Sequence, residues 1–494
     1  LVKNVSCVLN FNSKVFRTIL LNMTQRVFSS DDQLAFAELS GDLNPLHLDP
    51  VLARRLVFGH RVVHGLHALL WSLDVLLKSQ ARPVELRTAK ATFQAGIGLG
   101  ESVRCRITTR DEYRAEIQLE TGNALGGWFE FAWRPAGQKR ADALAGPPSQ
   151  PGKCRQRSIE TMAAASGNVA LYLDGDLAGR LFPNLMRVLP PLQLAALLAT
   201  TRLVGMECPG HDSIFASLNL FFSSGTAAAT DLTYRVADCN QRLGLVSMDV
   251  EVAGVKGQVK AFLRPEPQRQ ITYADACRQV EPEEFSGQRA LVAGGSRGLG
   301  EVAAKLLAAG GAEVILTYFR GEQDAQRIVE DLSAHGAEAK CIPLNVLEPM
   351  QRLADSFAKY PKPLYLYYFA TPFIFGASKG KFLQQRFAAF SKYYVSGFLR
   401  TVQALADPTI GLKKAFYPSS AAIDELPADM AEYAAAKAAG EVLCDFLQRT
   451  IPGLVIHKPR LPRLATDQTV SLLPVDNQVP GPVLLENLRY LKEM

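Results

Sequence analysis

One stretch limits the possible folds more than any other. The apolar run Arg289 to Ala293 breaks into Gly294-Gly295-Ser296-Arg297-Gly298-Leu299-Gly300 and resumes with helical patterning from Glu301 to Ala309. A short buried strand that turns through glycines straight into a helix opens a strand-helix-strand unit, and such a unit requires a parallel sheet covered by helices. The glycines permit the tight turn and let backbone N-H groups approach a phosphate at the N-terminal end of the helix. Strand and helix patterns alternate from Arg289 onward, so residues 287–494 are expected to form an α/β doubly wound parallel sheet.

A chain of 494 residues is too long for that unit alone. Two stretches rich in Pro, Gly and charge, 135–157 and 266–286, read as linkers. They separate residues 23–134, 158–265 and 287–494 as three expected domains, with residues 1–22 as a loose arm or mis-called start that carries no chemistry. In the first domain a capped helix is expected at Ser30 to Leu39 and a long apolar helix from Val63 to Leu77. Strand patterns follow at Ala89 to Ala95, Ser102 to Thr109, Arg114 to Thr121 and Trp128 to Trp133. The middle domain repeats that order, with an apolar helix from Pro191 to Gly205 and strands at Ser213 to Phe222, Asp231 to Ala237, Leu243 to Val252 and Gly257 to Leu263. An apolar helix wrapped by a strand meander is the hotdog arrangement. The expected architecture is therefore α+β, a double hotdog, followed by the α/β sheet.

Composition narrows the function classes. The longest apolar stretch, Leu66 to Leu77, is interrupted by Asp74 and is too short to span a bilayer, which takes about 20 apolar residues. Eight cysteines show no C-x-x-C spacing, which suits reduced thiols in a cytoplasmic protein and points to neither metal nor disulfide. The net charge of +6 is not gathered into one basic block, so no nucleic-acid partner is expected. A mild positive balance does suit phosphate-bearing partners.

The richest local signal is Ser40-Gly41-Asp42-Leu43-Asn44-Pro45-Leu46-His47-Leu48-Asp49, followed by Phe58-Gly59-His60-Arg61-Val62-Val63-His64-Gly65. Adding or removing water across a C2=C3 bond needs a proton shuttle at C2, activation of the water at C3 and a donor to the thioester oxygen. Asp42 and His47 offer the first two functions, and Pro45 rigidifies the turn between them. This run resembles the MaoC-like (R)-specific enoyl-thioester hydratases, with Phe93-Gln94-Ala95-Gly96-Ile97-Gly98-Leu99-Gly100 as a further match. The resemblance implies that Asp42 and His47 are the catalytic pair and that the Gly65 backbone N-H, at the start of the long helix, is the oxyanion donor. His60, His64 and His67 lie close together, but no carboxylate or cysteine completes a metal set at suitable spacing. In the middle domain Glu207, His211 and Asp212 flank a Pro-Gly turn and read as loop residues, so this second hotdog is expected to be catalytically silent.

In the last domain the spacing G-x-x-x-G-x-G is joined by Tyr433-Ala434-Ala435-Ala436-Lys437, with Ser420 upstream and Ser419 as the alternative serine. Together these are similar to the short-chain dehydrogenase/reductases of the 3-ketoacyl-thioester reductase type, on a Rossmann-type sheet. The resemblance implies Tyr433 as proton donor, Ser420 as carbonyl anchor and Lys437 as the group that reaches the nicotinamide ribose and lowers the Tyr433 pKa. It also implies a cofactor site at Gly294, Ser296, Arg297, Gly298, Leu299, Gly300, Arg320 and Asn345, shared with Tyr433 and Lys437. No acidic residue follows the strand Glu313 to Thr317, and Arg297 and Arg320 suit a 2′-phosphate, so NADP(H) is favoured over NAD(H). The chain departs from that family where Phe369-Ala370-Thr371-Pro372 replaces N-A-G, and Tyr394 stands at the usual asparagine position.

Joined, the two resemblances imply a bifunctional enzyme acting on acyl-CoA or acyl-carrier-protein thioesters. It would reduce a 3-ketoacyl to a (3R)-hydroxyacyl thioester with NADPH and dehydrate that reversibly to the trans-2-enoyl thioester, in a fatty-acid-like or polyketide-like cycle. Two alternatives stand beside this reading: a hydratase carrying a silent NADP-binding scaffold, and a non-enzymatic acyl-thioester-binding component of a larger synthase. A homodimer is compatible with each.

Overall fold

The computed structural model describes residues 20–494 except 123, 137–143, 149–151, 224–229, 351–363, 376–379, 408–409 and 472–474. Most of the expected N-terminal arm, and parts of both the 135–157 linker and the Phe369–Pro372 neighbourhood, lie outside the described residues. The chain forms two compact units, 1–48 with 62–263, and 49–61 with 264–494. Asp49 to Arg61, in the middle of the hydratase-like run, belongs to the second unit.

The first unit is a ten-stranded sheet around two apolar helices. Its strands are β1 (Leu20–Val27), β2 (Val84–Phe93), β3 (Ser102–Asp111), β4 (Arg114–Thr121), β5 (Ala124–Pro135), β6 (Ser166–Ala170), β7 (Ser213–Phe222), β8 (Asp231–Asn240), β9 (Leu245–Val252) and β10 (Val255–Leu263). They lie in the order β1-β3-β4-β5-β2-β7-β10-β9-β8-β6. Read outward from the β2-β7 junction, each half has the same connectivity, which agrees with the duplicated element order expected from sequence. Ala89 pairs with Leu220 and Ala91 with Leu218 across the antiparallel junction.

The helices Gly65–Leu76 and Pro191–Arg202 are buried on nearly every side because both are apolar all round. Strands β3 and β4 bury alternate residues, leaving one sheet face toward those helices and one toward solvent. Helix Ser30–Ser40 starts on a capping box in which the Ser29 hydroxyl accepts from the Asp32 N-H at 3.0 Å and the Asp32 carboxylate accepts from the Ser29 N-H at 2.8 Å. It ends at Gly41, whose φ of +69° favours glycine, and a Cβ there would collide with the Tyr172 hydroxyl.

The second unit is a parallel sheet of six strands among the described residues: β11 (Arg289–Ala293), β12 (Glu313–Tyr318), β13 (Ala339–Pro343), β14 (Leu364–Tyr368), β15 (Leu412–Phe416) and, after the short β16 (Ser419–Ser420), β17 (Val455–His457). A two-residue β18 (Arg460–Leu461) pairs with β16. The order β13-β12-β11-β14-β15-β17 reverses direction between β11 and β14, the place where open α/β sheets take ligands at their carboxyl ends. Every residue of β11 is buried, since alternate residues face opposite helical layers: Ala290 and Val292 pack with helix Gly298–Ala309, Leu291 and Ala293 with helices that include Phe398 and Val402. No described helix is long and apolar enough to cross a membrane.

Candidate active sites

In the first unit, Gly41 ends its helix and turns the chain so that Asp42 leaves the helical register. Asn44 then opens the single-turn helix Pro45–Leu48, its side-chain Oδ1 accepting from the Leu46 N-H at 3.0 Å, and His47 projects from that turn. The two candidate residues thus sit on a helix exit and a helix entry. One carboxylate oxygen of Asp42 and one ring nitrogen each of His47 and His64 lie within 4.8 Å of one another.

Hydrogen bonds define what each group can do. His47 Nδ1 lies 2.8 Å from the Val62 carbonyl oxygen, to which it donates, so Nε2 is left as the basic nitrogen. The Asp42 carboxyl is buried and held by two donors, the Thr201 hydroxyl at 2.6 Å and the Asn44 N-H at 3.2 Å. Burial pushes its pKa up, while His47 and the Thr201 bond oppose the rise. A carboxylate made more basic in this way, beside an imidazole, is suited to take a proton from water. The Gly65 N-H lies in the first turn of helix Gly65–Leu76, where N-H groups have no partner within the helix.

His64, by contrast, is a wall of the site. Its Nδ1 accepts from the Gln33 amide at 2.9 Å, its Nε2 donates to the Asp42 carbonyl at 3.0 Å, and its ring stacks on His47 at 3.7 Å between centroids. Burial holds its pKa well below the usual value. With both nitrogens engaged, His64 has no lone pair for a metal, so the Asp42, His47 and His64 cluster offers two donors rather than three. His67, bonded to Gln33 at 2.9 Å, is held by burial at a pKa of about 3.

The second half of the sheet also touches this site, which the sequence did not suggest. Thr201 reaches Asp42 from helix Pro191–Arg202. Gly205 lies so close that a Cβ would collide with the Asp42 carboxylate. The Asn44 amide donates to the carbonyl oxygens of Gly205 and Gly210, each at 3.1 Å. No signal in the run Thr200 to Gly205 marks these roles, because they arise from a long-range approach.

In the second unit a cavity of about 590 Å³ opens at the carboxyl ends of the strands. Gly294, Ser296, Arg297, Gly298, Leu299, Gly300, Arg320 and Asn345 line it together with Ser420, Tyr433 and Lys437, so every residue expected there converges on one space. The loop fits a dinucleotide: Gly294 has φ +78° and a Cβ on it would crowd the Ala370 backbone, while one on Gly300 would collide with the Gly294 carbonyl. Arg297 is partly committed, donating to the Arg54 carbonyl oxygen at 2.6 Å and lying 3.8 Å from Asp467. Arg320 is exposed beside the Phe319 ring.

Ser420 hydrogen-bonds Tyr433, and Ser419 is turned away to Glu441 at 2.5 Å, which separates the two candidate serines. The Lys437 ammonium donates to the Pro418 carbonyl at 2.6 Å and lies 4.0 Å above the Tyr394 ring but 5.9 Å from the ring centre of Tyr433. Burial pushes the Tyr433 hydroxyl up to about 12, opposed by its bond to Ser420, and brings Lys437 down to about 7. The Tyr394 hydroxyl pairs with Thr371 at 2.5 Å, and its backbone carbonyl, in the π-helical turn Lys392–Gly397, accepts from the Tyr417 hydroxyl at 3.1 Å.

Comparison with known proteins follows this division. Residues 14–125 match the MaoC like domain and residues 288–453 the short chain dehydrogenase family. The chain is 37% identical over 92 residues to the (R)-specific enoyl-CoA hydratase of Aeromonas caviae, a match covering 19% of this chain and 62% of that one. It is 34% identical over 107 residues to peroxisomal multifunctional enzyme type 2 of Drosophila melanogaster, covering 21% of this chain and 18% of that one. The chain therefore spans less than two thirds of the length of these curated relatives. A solved short chain dehydrogenase from Burkholderia cenocepacia in complex with NADP is 28% identical, with a TM-score of 0.34, over 40% of this chain and 81% of that one. The chain joins a MaoC-like hotdog domain to a short-chain dehydrogenase domain of Rossmann type.

Proposed function

We propose that the chain is a bifunctional acyl-thioester enzyme that interconverts 3-ketoacyl, (3R)-hydroxyacyl and trans-2-enoyl thioesters. The observation that carries this reading is the presence, in one chain, of a buried carboxylate facing a basic imidazole nitrogen and of a Ser420, Tyr433 and Lys437 cluster lining a glycine-rich cavity. At the first site Asp42 takes a proton from water as its oxygen adds to C3. His47 Nε2 holds the same water, the proton taken up by Asp42 is delivered to C2 so that one water is added in all, and the Gly65 N-H steadies the thioester oxygen. Dehydration is the reverse. The second half of the sheet is read as a non-catalytic hotdog that shapes the site through Thr201 and Gly205.

At the second site the Gly294 to Gly300 loop with Arg297, Arg320 and Asn345 would hold NADP(H), which would supply or accept hydride. Ser420 fixes the substrate carbonyl oxygen, Tyr433 gives that oxygen its proton, and Lys437 restores the proton to Tyr433. The names of two relatives, the Aeromonas hydratase and the 3-hydroxybutyryl-CoA dehydratase of Methylorubrum extorquens, support coenzyme A thioesters as substrates. The sequence reading favours a biosynthetic, cytoplasmic setting. A second reading runs the same steps in the oxidative direction, as the peroxisomal multifunctional relatives of fly and yeast suggest.

The test is an absorbance assay of the full chain with crotonyl-CoA alone and with acetoacetyl-CoA plus NADPH. Asp42→Asn and His47→Ala should each lower hydration by about 100-fold to 10,000-fold while leaving NADPH oxidation intact. Hydration within a few-fold of the parent in either variant refutes the first assignment. Absence of any ketoacyl reduction makes the second unit a scaffold.

A further inference from the structure

The segment Asp49 to Arg61 belongs to the C-terminal unit although it lies between the two halves of the hydratase-like motif. Its place in that unit is specific. Asp49 caps the short helix Pro50–Ala53, accepting from the Val51 and Leu52 N-H groups at 2.8 and 2.9 Å, and Arg54 and Arg55 follow at the helix end. Arg54, Gly59 and His60 all line the dinucleotide cavity. The Arg54 guanidinium lies against Gly321, where a Cβ would collide with it, directly after Arg320 at the end of β12. In open α/β sheets the second strand ends beside the adenosine ribose. Arg54 therefore stands where the ribose 2′ position of a dinucleotide is read, next to Gly321 and bonded through its carbonyl oxygen to Arg297 of the glycine loop.

The charges around it do not balance. Three largely shielded guanidinium groups, Arg54, Arg55 and Arg297, and the exposed Arg327 surround two buried carboxylates, Asp324 and Asp467, while the nearby Glu301 is neutralised by Lys305. Asp324 alone is shared by Arg54, Arg55 and Arg327. Arg54 is only 13% exposed, and its Nε is buried with no hydrogen-bond partner. A partly buried cationic cluster with surplus positive charge and an unused donor is completed by an anion, and a phosphate monoester brings about 1.5 to 2 negative charges and three acceptor oxygens.

We propose that Arg54 completes the recognition site for the 2′-phosphate of NADP, so that a residue from within the hydratase-like motif sets the cofactor preference of the dehydrogenase domain. This rests on the reading of the second cavity as an NADP site. Arg297, tied by Nη1 to the Arg54 carbonyl, then works as one unit with Arg54, and Arg320 closes the site from the solvent side. Arg55 shares the same two carboxylates but does not line the cavity, so it is a partner in charge only.

That difference supplies the control. Dissociation constants of NADPH and NADH are measured by fluorescence titration on the full chain for the parent, Arg54→Gln, Arg54→Lys and Arg55→Gln. Arg54→Gln should weaken NADPH by about 10-fold to 100-fold and leave NADH within about twofold. Arg54→Lys, which keeps the charge but loses the fork, should give a smaller loss of the same kind and serves if the Gln variant does not fold. Arg55→Gln should leave the NADPH to NADH ratio within about threefold of the parent. Equal loss for both cofactors in the Arg54 variants, no loss, or tighter NADPH binding would each overturn the inference, the last by showing that Arg54 obstructs the site. A parent that binds NADPH no better than NADH overturns the NADP reading beneath it. A parent that prefers NADPH, with that preference intact in both Arg54 variants, overturns this inference alone.

Discussion

Replacing Thr201 by valine removes one hydroxyl from the wall of the hydratase site and should move the pH at which hydration fails. The Thr201 hydroxyl donates to Asp42 at 2.6 Å, with Asp42 2% and Thr201 3% exposed, so the bond has no water to replace it. A hydrogen bond to a buried charged group contributes about 1.5 to 3 kcal/mol. One pKa unit corresponds to about 1.36 kcal/mol, so losing the bond should raise the Asp42 pKa by about one to two units. The direction is fixed by the bond's chemistry: burial already raises this pKa, the Thr201 donor lowers it by stabilising the carboxylate, and removing the donor leaves burial less opposed. On the proposed mechanism Asp42 is ionised when it accepts the proton of water, so the acid limb of kcat/KM for crotonyl-CoA hydration should shift upward by that amount. The plateau at higher pH should change by only a few-fold. Thr201→Ser, which keeps the hydroxyl, should restore the parent profile. An acid limb that stays in place or moves downward in Thr201→Val would show that Asp42 is not the group being titrated, or that Thr201 does not act through it.

Two further outcomes follow from buried groups elsewhere. His67 is held at a pKa of about 3, below the unfolded value of about 6.5, so the unfolded chain binds the extra proton between those values and stability falls as pH drops from 6.5 toward 3. Urea unfolding should therefore lose about 2 kcal/mol between pH 6.5 and 5 from this residue, and His67→Gln should flatten that slope; an unchanged slope would refute the assignment. In the second unit Tyr433→Phe should abolish NADPH consumption on mixing with acetoacetyl-CoA, whereas Tyr394→Phe should preserve the first turnover and slow later ones. A Tyr394→Phe variant with no first turnover would show that this side chain does more than return the proton.

The parts of the sites visible in the sequence are those built from neighbouring residues. Asp42, His47 and Gly65 lie within one helix exit, one helix turn and one helix start, so spacing was enough to group them. The strands β3, β4 and β7 lie close to where alternation placed them, because one of their faces packs on an apolar helix. Strand β6 and the helices Gly175–Leu181 and Pro183–Val188 escaped notice, since they are short, carry Gly, Pro, Asp and Arg, and owe their form to packing rather than to their own periodicity. Thr201, Gly205 and Arg54 escaped for a different reason: each matters through a partner far away in the chain.

The excursion of Asp49 to Arg61 also bears on how such a chain can be taken apart and recombined. A gene cut at residue 263 would separate Asp324 and Asp467 from Arg54 and Arg55, leaving them Arg327 and Arg297 alone, and would strip Arg54 and Gly59 from the cavity wall. Exchange of the dehydrogenase domain for another would therefore fail as a simple end-to-end graft, because the incoming domain would meet a loop shaped for its predecessor. Successful chimaeras would need two crossovers, with the loop travelling alongside the sheet it serves.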